Sequence, residues 1–390
     1  MPRRLLALVL VVAACGGPTA DTTTSSSPDS GLEPVATSAP LTTTSTTVAT
    51  PTAPTTTSAA PPATSRAPRS VAEDARAVVM AGFGSTQLDS STTEFLAAGG
   101  RAVIIFSRNI SSADQLAGLT SDVACAAGEA VIIAIDQEPG RVDRLDAIGI
   151  PAPPLDTDRE QFELLTARMA REMTALGINL DLAPIADVAQ GDNPVLEGRN
   201  SGPDPEAVTE RALAFMAGLE DGGVGTTAKH FPGHGLSRVD PHRDVTLIDA
   251  PLAELAETHF PPFHAAISAG VDAVMVGHPI YESIDPDSPA SLSPVVLRML
   301  REDFGFEGVA MTDGLSMAAL RKIRTIEQIA LEALVAGQDL LIADRPSDVP
   351  RLVATIETAV AGGELDRERL SEAANRVRRL AAELTPIACS

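Results

Sequence analysis

FELLTARMAREMTALGINLDLA, residues 162–183, is the stretch on which the fold turns. Its apolar positions recur at helical spacing as far as Gly177, a residue suited to ending a helix. The LDLA that follows (180–183) is short and apolar, like a buried strand. The same alternation extends in both directions. AVVMA (77–81), AVIIF (102–106), VIIAI (131–135), GTTA (225–228), AVMV (273–276), GVAM (308–311) and DLLIA (339–343) are further candidate strands. Most are continuously apolar, as parallel strands covered on both faces are. Eight strands separated by helix-patterned segments predict an α/β fold, a (β/α)8 TIM-type barrel forming a single catalytic domain over residues 71–390. A doubly wound open sheet is the competing fold, and no GxGxxG supports it.

In such a barrel the reactive groups sit where strands end. Asp136 follows VIIAI, Lys229 and His230 follow GTTA, His278 follows AVMV and Gly277, and Asp313 follows GVAM and Thr312. Several polar residues aimed at one rim imply one pocket. The densest group is KHFPGHGLSRVDPHRD (229–244), which holds three of the six histidines and one of only two lysines, Lys229 and Lys322. Taken singly, His230 is as readily a satisfied core histidine, and His234 a loop residue bonding backbone. Asp240 and His242 are stronger as a pair. Pro241 biases Asp240 towards an extended backbone, where residues two apart point the same way, so the carboxylate can meet the imidazole. An aspartate there fixes the ring's tautomer and makes His242 a general acid and then base. A surface loop pair or a pair of metal ligands are the other readings. Asp313, in VAMTDGLSM, is either an Asp-Gly turn or a carboxylate nucleophile that forms a glycosyl intermediate.

Taken together, KHFPGHG with Asp240 and His242, VAMTDGLSM, AIDQEPGRVDR (134–144), FSRNI (106–110) and PASLSPVVLRMLREDFGFEGV (289–309) resemble the β-N-acetylglucosaminidases of glycoside hydrolase family 3, over residues 71–384. The resemblance implies Asp313 as nucleophile, His242 as acid/base and Asp240 as its dyad partner. It also implies Asp136, Arg144, Arg199, Lys229 and His230 as sugar-binding groups, with Arg199 resting on the short PVLEGRNSGPDP (194–205). The chain departs from the family where Pro139 and Gly140 replace a common Gly-Gly, and where Pro241 replaces Ser or Thr between the dyad members. The second departure is expected to stiffen a loop that must swing His242 into the site. The barrel is followed only by a helical pattern over 366–384, which matches the single-domain members and weakens a β-glucosidase reading.

The N-terminus, MPRRLLALVLVVAACGG, has a signal peptide's layout over residues 1–14 and is too short to span a bilayer core of about 30 Å. VAAC (12–15) resembles a bacterial lipobox, implying lipidation of Cys15; the alternative is an ordinary cleaved signal. Residues 15–70 are nearly all Thr, Ser, Pro and Ala and read as a disordered tether, or an O-glycosylated stalk. Cys125 and Cys389 lie in a region that would be exported, and the sequence leaves pairing and separate burial equally open. With 29 Lys and Arg against 52 Asp and Glu, the net charge of −23 argues against nucleic acid as a partner. No Trp offers a flat platform for a long polymer, so a ligand is expected to be held by polar contacts.

The expectation is an exported, membrane lipid-anchored monomer that hydrolyses terminal β-linked N-acetylglucosamine (GlcNAc) with retention, from small saccharides or peptidoglycan fragments carrying GlcNAc next to N-acetylmuramic acid. No cofactor and no metal are expected. Phosphorolysis in the same site, a metal-dependent hydrolase and a non-catalytic sugar-binding lipoprotein are the rivals.

Overall fold

A computed structural model describes residues 69–191, 193–199 and 202–390. The expected signal peptide, Cys15 and the tether up to residue 68 lie outside the described residues. The folded unit starts slightly before the expected Val71, because Ser70 caps the first helix by accepting from the Glu73 N–H. The principal elements are α1 (Val71–Ala77), β1 (Val79–Gly82), α2 (Ser90–Ala97), β2 (Ala102–Ile105), α3 (Ala113–Ala127), β3 (Ile132–Ile135), α4 (Arg159–Ala175), β4 (Leu180–Asp181), α5 (Pro205–Asp221), β5 (Thr227–Phe231), α6 (Pro261–Ser268), β6 (Ala273–Val276), α7 (Pro294–Glu302), β7 (Val309–Thr312), α8 (Ile326–Ala336), β8 (Leu341–Ala343), α9 (Val349–Gly362) and α10 (Arg367–Glu383). The defining stretch behaves as its pattern dictates. Asp158 caps α4 by accepting from the Gln161 N–H, and the chain leaves the helix through Gly177 at φ +72°.

All eight expected strands are present and parallel, but they form two sheets rather than one closed cylinder. One has the order β8-β1-β2-β3-β4 and the other β5-β6-β7. The sheets meet at single bridges, Leu180 with Gly225 and Ile185 with Lys229 at one seam, Met311 with Leu340 at the other. Both interruptions have a local cause. At the first seam Pro184 has no N–H to give, so it contributes only its carbonyl, which accepts from the Lys229 N–H at 3.1 Å. At the second, the Thr312 hydroxyl takes the Ile342 N–H at 3.1 Å, replacing a backbone acceptor.

β5 runs further than GTTA suggests. Lys229 pairs with Met275 and Phe231 with Val276, which leaves His230 as the extra residue of a bulge inside the strand. A bulge re-aims a side chain. Lys229 and His230 are therefore strand residues, held more firmly than loop residues.

The strand starts are sealed by α10. Val377, Leu380, Ala381 and Leu384 pack with Met80, Ala102, Ile132, Leu180, Ala273, Val309 and Leu340 in one buried cluster. Burying each of the larger aliphatic side chains stabilises the fold by about 1.5–3 kcal/mol. Buried Asp339, just before β8, fixes the helix in place: Arg369 and Arg376 of α10 reach its Oδ1 at 3.0 and 3.3 Å, and Arg301 reaches Oδ2 at 2.5 Å. Buried Asp74 of α1 binds Arg367 at 2.6 Å and Arg378 at 2.7 Å.

Cys125 of α3 and Cys389 form a disulfide, resolving the open alternative in favour of pairing. It fastens the chain's last residues to α3, where the Ser390 N–H also donates to Ser121 Oγ at 3.0 Å. Protein unfolded without reductant should show neither Cys125 nor Cys389 to a thiol reagent, and both after reduction. Reaction of both before reduction would contradict the pairing.

Candidate active site

The loop after β3 is built by Gln137. Its side-chain oxygen accepts from the Arg144 and Leu145 N–H groups at 2.8 and 3.1 Å, and its amide donates to Asp143 at 2.7 Å. Its backbone N–H donates to Asp181 on β4 at 2.9 Å. This scaffold sets Asp136, Glu138 and Arg144 in fixed relation. The Lys229 ammonium, 1% exposed, lies 2.8 Å from Asp136 Oδ1 and 2.5 Å from Glu138 Oε1. Arg144 approaches Asp136 Oδ2 at 3.6 Å. Arg199 grips Glu138 with two parallel bonds of 2.8 Å. Four of the five expected sugar-binding residues thus form one cluster. Arg199 sits in it as Glu138's partner, a role the sequence did not suggest.

The electrostatics follow from this packing. Burial pushes the Glu138 carboxyl up, but Lys229 and Arg199 outweigh it and hold the group at about 2. Burial works against the Lys229 charge, and Asp136 and Glu138 together raise its pKa above the usual lysine value. Asp181, fully buried beneath them, shows the opposite balance. Burial, reinforced by Asp136 and Glu138, drives its carboxyl well above the ordinary range.

Asp313 emerges from β7 with its Oδ1 accepting from the Gly314 N–H at 2.7 Å. Its turn is clamped from both sides. His278 Nε2 lies 3.1 Å from the Gly314 carbonyl and its Nδ1 2.8 Å from Ser291 Oγ. A carbonyl can only accept, so the proton is on Nε2 and Ser291 donates to Nδ1. Burial lowers the pKa of His278. From β8, Asp344 accepts from the Ser316 N–H at 3.0 Å and from its hydroxyl. Burial also acts on Asp313, but His230, His278, the Gly314 N–H and Lys229 prevail and hold its carboxyl below the ordinary value of 3.8.

His230 links the two halves. Its Nδ1 lies 2.7 Å from Asp187 Oδ2, and its Nε2 stands 3.9 Å from Asp313 Oδ2. Buried Asp187 also accepts from the backbone N–H groups of His230 and His234, at 3.1 and 2.5 Å. His234 directs its ring into the interior, where burial, then the His230 charge, lowers its pKa to about 4. Gly235 lets this loop lie on Val188, whose carbonyl would be 1.7 Å from an added Cβ.

Asp240 and His242 meet as expected, but for a different reason. Asp240 Oδ1 receives both the His242 N–H at 2.9 Å and ring Nδ1 at 2.8 Å, while the Asp240 carbonyl accepts from Arg243 and Asp244 at 2.8 and 3.2 Å. The chain is therefore a tight turn here, not extended, because the carboxylate folds the backbone onto itself. Burial raises the Asp240 carboxyl, yet the two bonds from His242 outweigh it and leave it below the ordinary value. His242 is 64% exposed, and among the described residues no hydrogen bond or ion pair joins it to Asp313. The turn is fastened to the segment after Asp313, by Ala319 N–H to the Pro241 carbonyl at 2.9 Å and by Lys322 to Asp244 at 2.9 Å.

Glu138, Asp187 and Asp344 escaped the sequence reading. A signal for Glu138 existed, since a lysine expected in a pocket wall needs carboxylates, and Glu138 stands two residues beyond Asp136. Asp187 and Asp344 carried none. Among the described residues no three His, Cys, Asp or Glu side chains are placed to share a metal ion.

The Asp313 carboxylate, with its Oδ2 3.9 Å from the ring of the Asp187-paired His230, and the ion-pair cluster around Lys229 are brought together at the ends of parallel strands. Residues 69–380 match the glycosyl hydrolase family 3 N-terminal domain. The chain belongs to this family and is a glycoside hydrolase. It is 33% identical over 293 residues to a beta-hexosaminidase of Stenotrophomonas maltophilia, covering 72% of this chain and 87% of the relative. A family 3 beta-N-acetylglucosaminidase structure from Paenibacillus superposes with a TM-score of 0.78 at 30% identity, over 83% of this chain and 65% of that one. A beta-N-acetylhexosaminidase from Beutenbergia cavernae superposes with a TM-score of 0.74 at 29% identity, over 81% of this chain and all of that one.

The loop bearing Arg144 touches the turn bearing Arg199 through Gly140, at φ +93°, where an added Cβ would lie 2.1 Å from the Gly198 carbonyl. Gly140→Ala should displace both arginines and lower kcat/KM on 4-nitrophenyl N-acetyl-β-D-glucosaminide by on the order of 100-fold. Unchanged kinetics would show that the contact does not govern the site.

Proposed function

We propose that this glycoside hydrolase, a β-N-acetylhexosaminidase by its relatives, removes terminal β-linked GlcNAc by a retaining double displacement. The observation that carries the mechanism is Asp313, a carboxylate held ionised at the end of β7 with Oδ2 directed towards the Asp187–His230 pair. Asp313 Oδ2 attacks the anomeric carbon while His242, steadied by Asp240, protonates the departing glycosidic oxygen. His242 then takes a proton from water, whose oxygen attacks the same carbon and releases Asp313. The loop carrying His242 moves inward for both steps. Asp136, Lys229 and Arg144 bind sugar hydroxyls, the two strand sets acting as arcs of one (β/α)8 barrel around this mouth.

In this reading the protein is an exported monomer, anchored through lipidated Cys15, that acts on GlcNAc-containing peptidoglycan fragments. The Cys125–Cys389 disulfide supports export, because such bonds persist in oxidising compartments. The sequence of residues 1–17 supports the anchor.

The test is nitrophenol release from 4-nitrophenyl N-acetyl-β-D-glucosaminide and from the matching β-glucoside. Turnover confined to the N-acetyl sugar, and lost in folded Asp313→Ala, is expected; turnover of neither would refute the assignment. Because its carboxyl is held below 3.8, Asp313 stays ionised as pH falls to that value, so its acid limb in kcat/KM should lie below pH 3.8. A nucleophile limb above pH 5 would contradict the electrostatics.

A further inference from the structure

Glu138 is among the most deeply enclosed ionised groups in the site, with no exposed surface, and it takes no part in the two displacement steps. Both of its oxygens are occupied. Oε1 lies between Lys229 Nζ at 2.5 Å and Arg199 Nη2 at 2.8 Å, and Oε2 accepts from Arg199 Nε at 2.8 Å. Its N–H donates to the Val142 carbonyl at 2.8 Å, which closes the loop that carries Arg144. We propose that Glu138 is a positioning residue for the sugar-binding wall: it holds the Lys229 ammonium in register with Asp136 and fixes Arg199 beside it. It acts through these partners and does not touch the sugar.

Geometry and charge both require such a residue. A lysine side chain has four rotatable bonds and an ammonium with three donors, so one carboxylate alone would leave its direction loose. Asp136 and Glu138 receive it from two sides, leaving one N–H for a ligand. Arg199 presents a rigid fork to both Glu138 oxygens, while its Nη1 donates to the Val195 carbonyl at 3.2 Å, so Glu138 and that carbonyl together set the arginine's plane. Removing the Glu138 charge while keeping its shape leaves Lys229 facing Asp136 on one side and Arg199, now without its ion-pair partner and with only Asp136 and Asp187 to offset it, on the other. The other charged or titratable groups around this cluster are Arg144 of the same loop, Asp181 of β4, the neighbouring His230 with its partner Asp187, and Asp313 of β7.

The chain's lysine content makes this measurable without any sugar. Lys229 and Lys322 are the only lysines, one buried and one half exposed in an ion pair with Asp244, so protein labelled with 15N-lysine shows two ammonium signals. In full-length Glu138→Gln, Lys229 should lose its proton at a pH more than one unit lower than in the parent, with Lys322 unmoved as the internal control. GlcNAc binding by calorimetry should weaken by on the order of 100-fold. Glu138→Asp, which keeps the charge but withdraws it by one methylene, covers the case in which Glu138→Gln does not fold. It should leave the Lys229 titration near the parent value and weaken GlcNAc binding about 10-fold. An unmoved Lys229 titration in Glu138→Gln, or parental GlcNAc affinity in either folded variant, would overturn the proposal. The identity of the sugar rests on the glycosidase reading; the titration does not. A parent protein that fails to bind GlcNAc while Lys229 shifts as stated would refute that reading and keep Glu138's role.

Discussion

One buried ammonium holds the site together. Lys229 belongs to the three-stranded sheet, whereas Asp136 and Glu138 follow the third strand of the five-stranded one, so its two ion pairs cross between sheets joined elsewhere by isolated bridges. A lone ammonium in such a place would cost several kcal/mol to desolvate. Two carboxylates offset that cost only if both stand where they do on the one loop after β3. The scaffolding by Gln137 and the close approach at Gly140 are the local means of keeping them there.

The second half of the site obeys the same logic with histidine in place of lysine. Asp187 collects N–H groups from two residues, His230 and His234, and so orients His230 towards Asp313. The turn after Asp313 is held by His278 through a carbonyl and by Asp344 through Ser316. Asp313 is thus placed by three strands besides its own. By contrast His242 sits on an exposed turn, and this difference in exposure matches the chemistry proposed for each group. In that proposal Asp313 attacks a fixed carbon, whereas His242 serves a departing oxygen and then a water.

Much of this was legible in the sequence because strand-end residues are announced by the strands. Continuous apolar runs such as VIIAI and GVAM located Asp136 and Asp313 directly. The strand limits were less exact where tertiary context intervened: the Lys229–Phe231 bulge drew two supposed loop residues into β5, and Pro184 and Thr312 broke the ladder where an unbroken ring was expected. The Asp240–His242 contact was foreseen through extended geometry and arose through a side-chain-closed turn. Asp187 and Asp344 were invisible because a carboxylate that binds other protein groups has no local signature. Its partners lie on other strands and meet it only on folding.

The sealing of the strand starts by α10 also decides where a mechanical load enters the domain. α1 leads directly into β1, and it is bound to α10 through Asp74 with Arg367 and Arg378, while the Arg367 guanidinium holds the Arg69 carbonyl at 2.9 Å. Arg69 therefore enters at the pole opposite the strand ends that carry Asp136 and Asp313. Tension applied at Arg69 would be borne by the strand-start end of the fold, through the Asp74 ion pairs, and not by the strand ends.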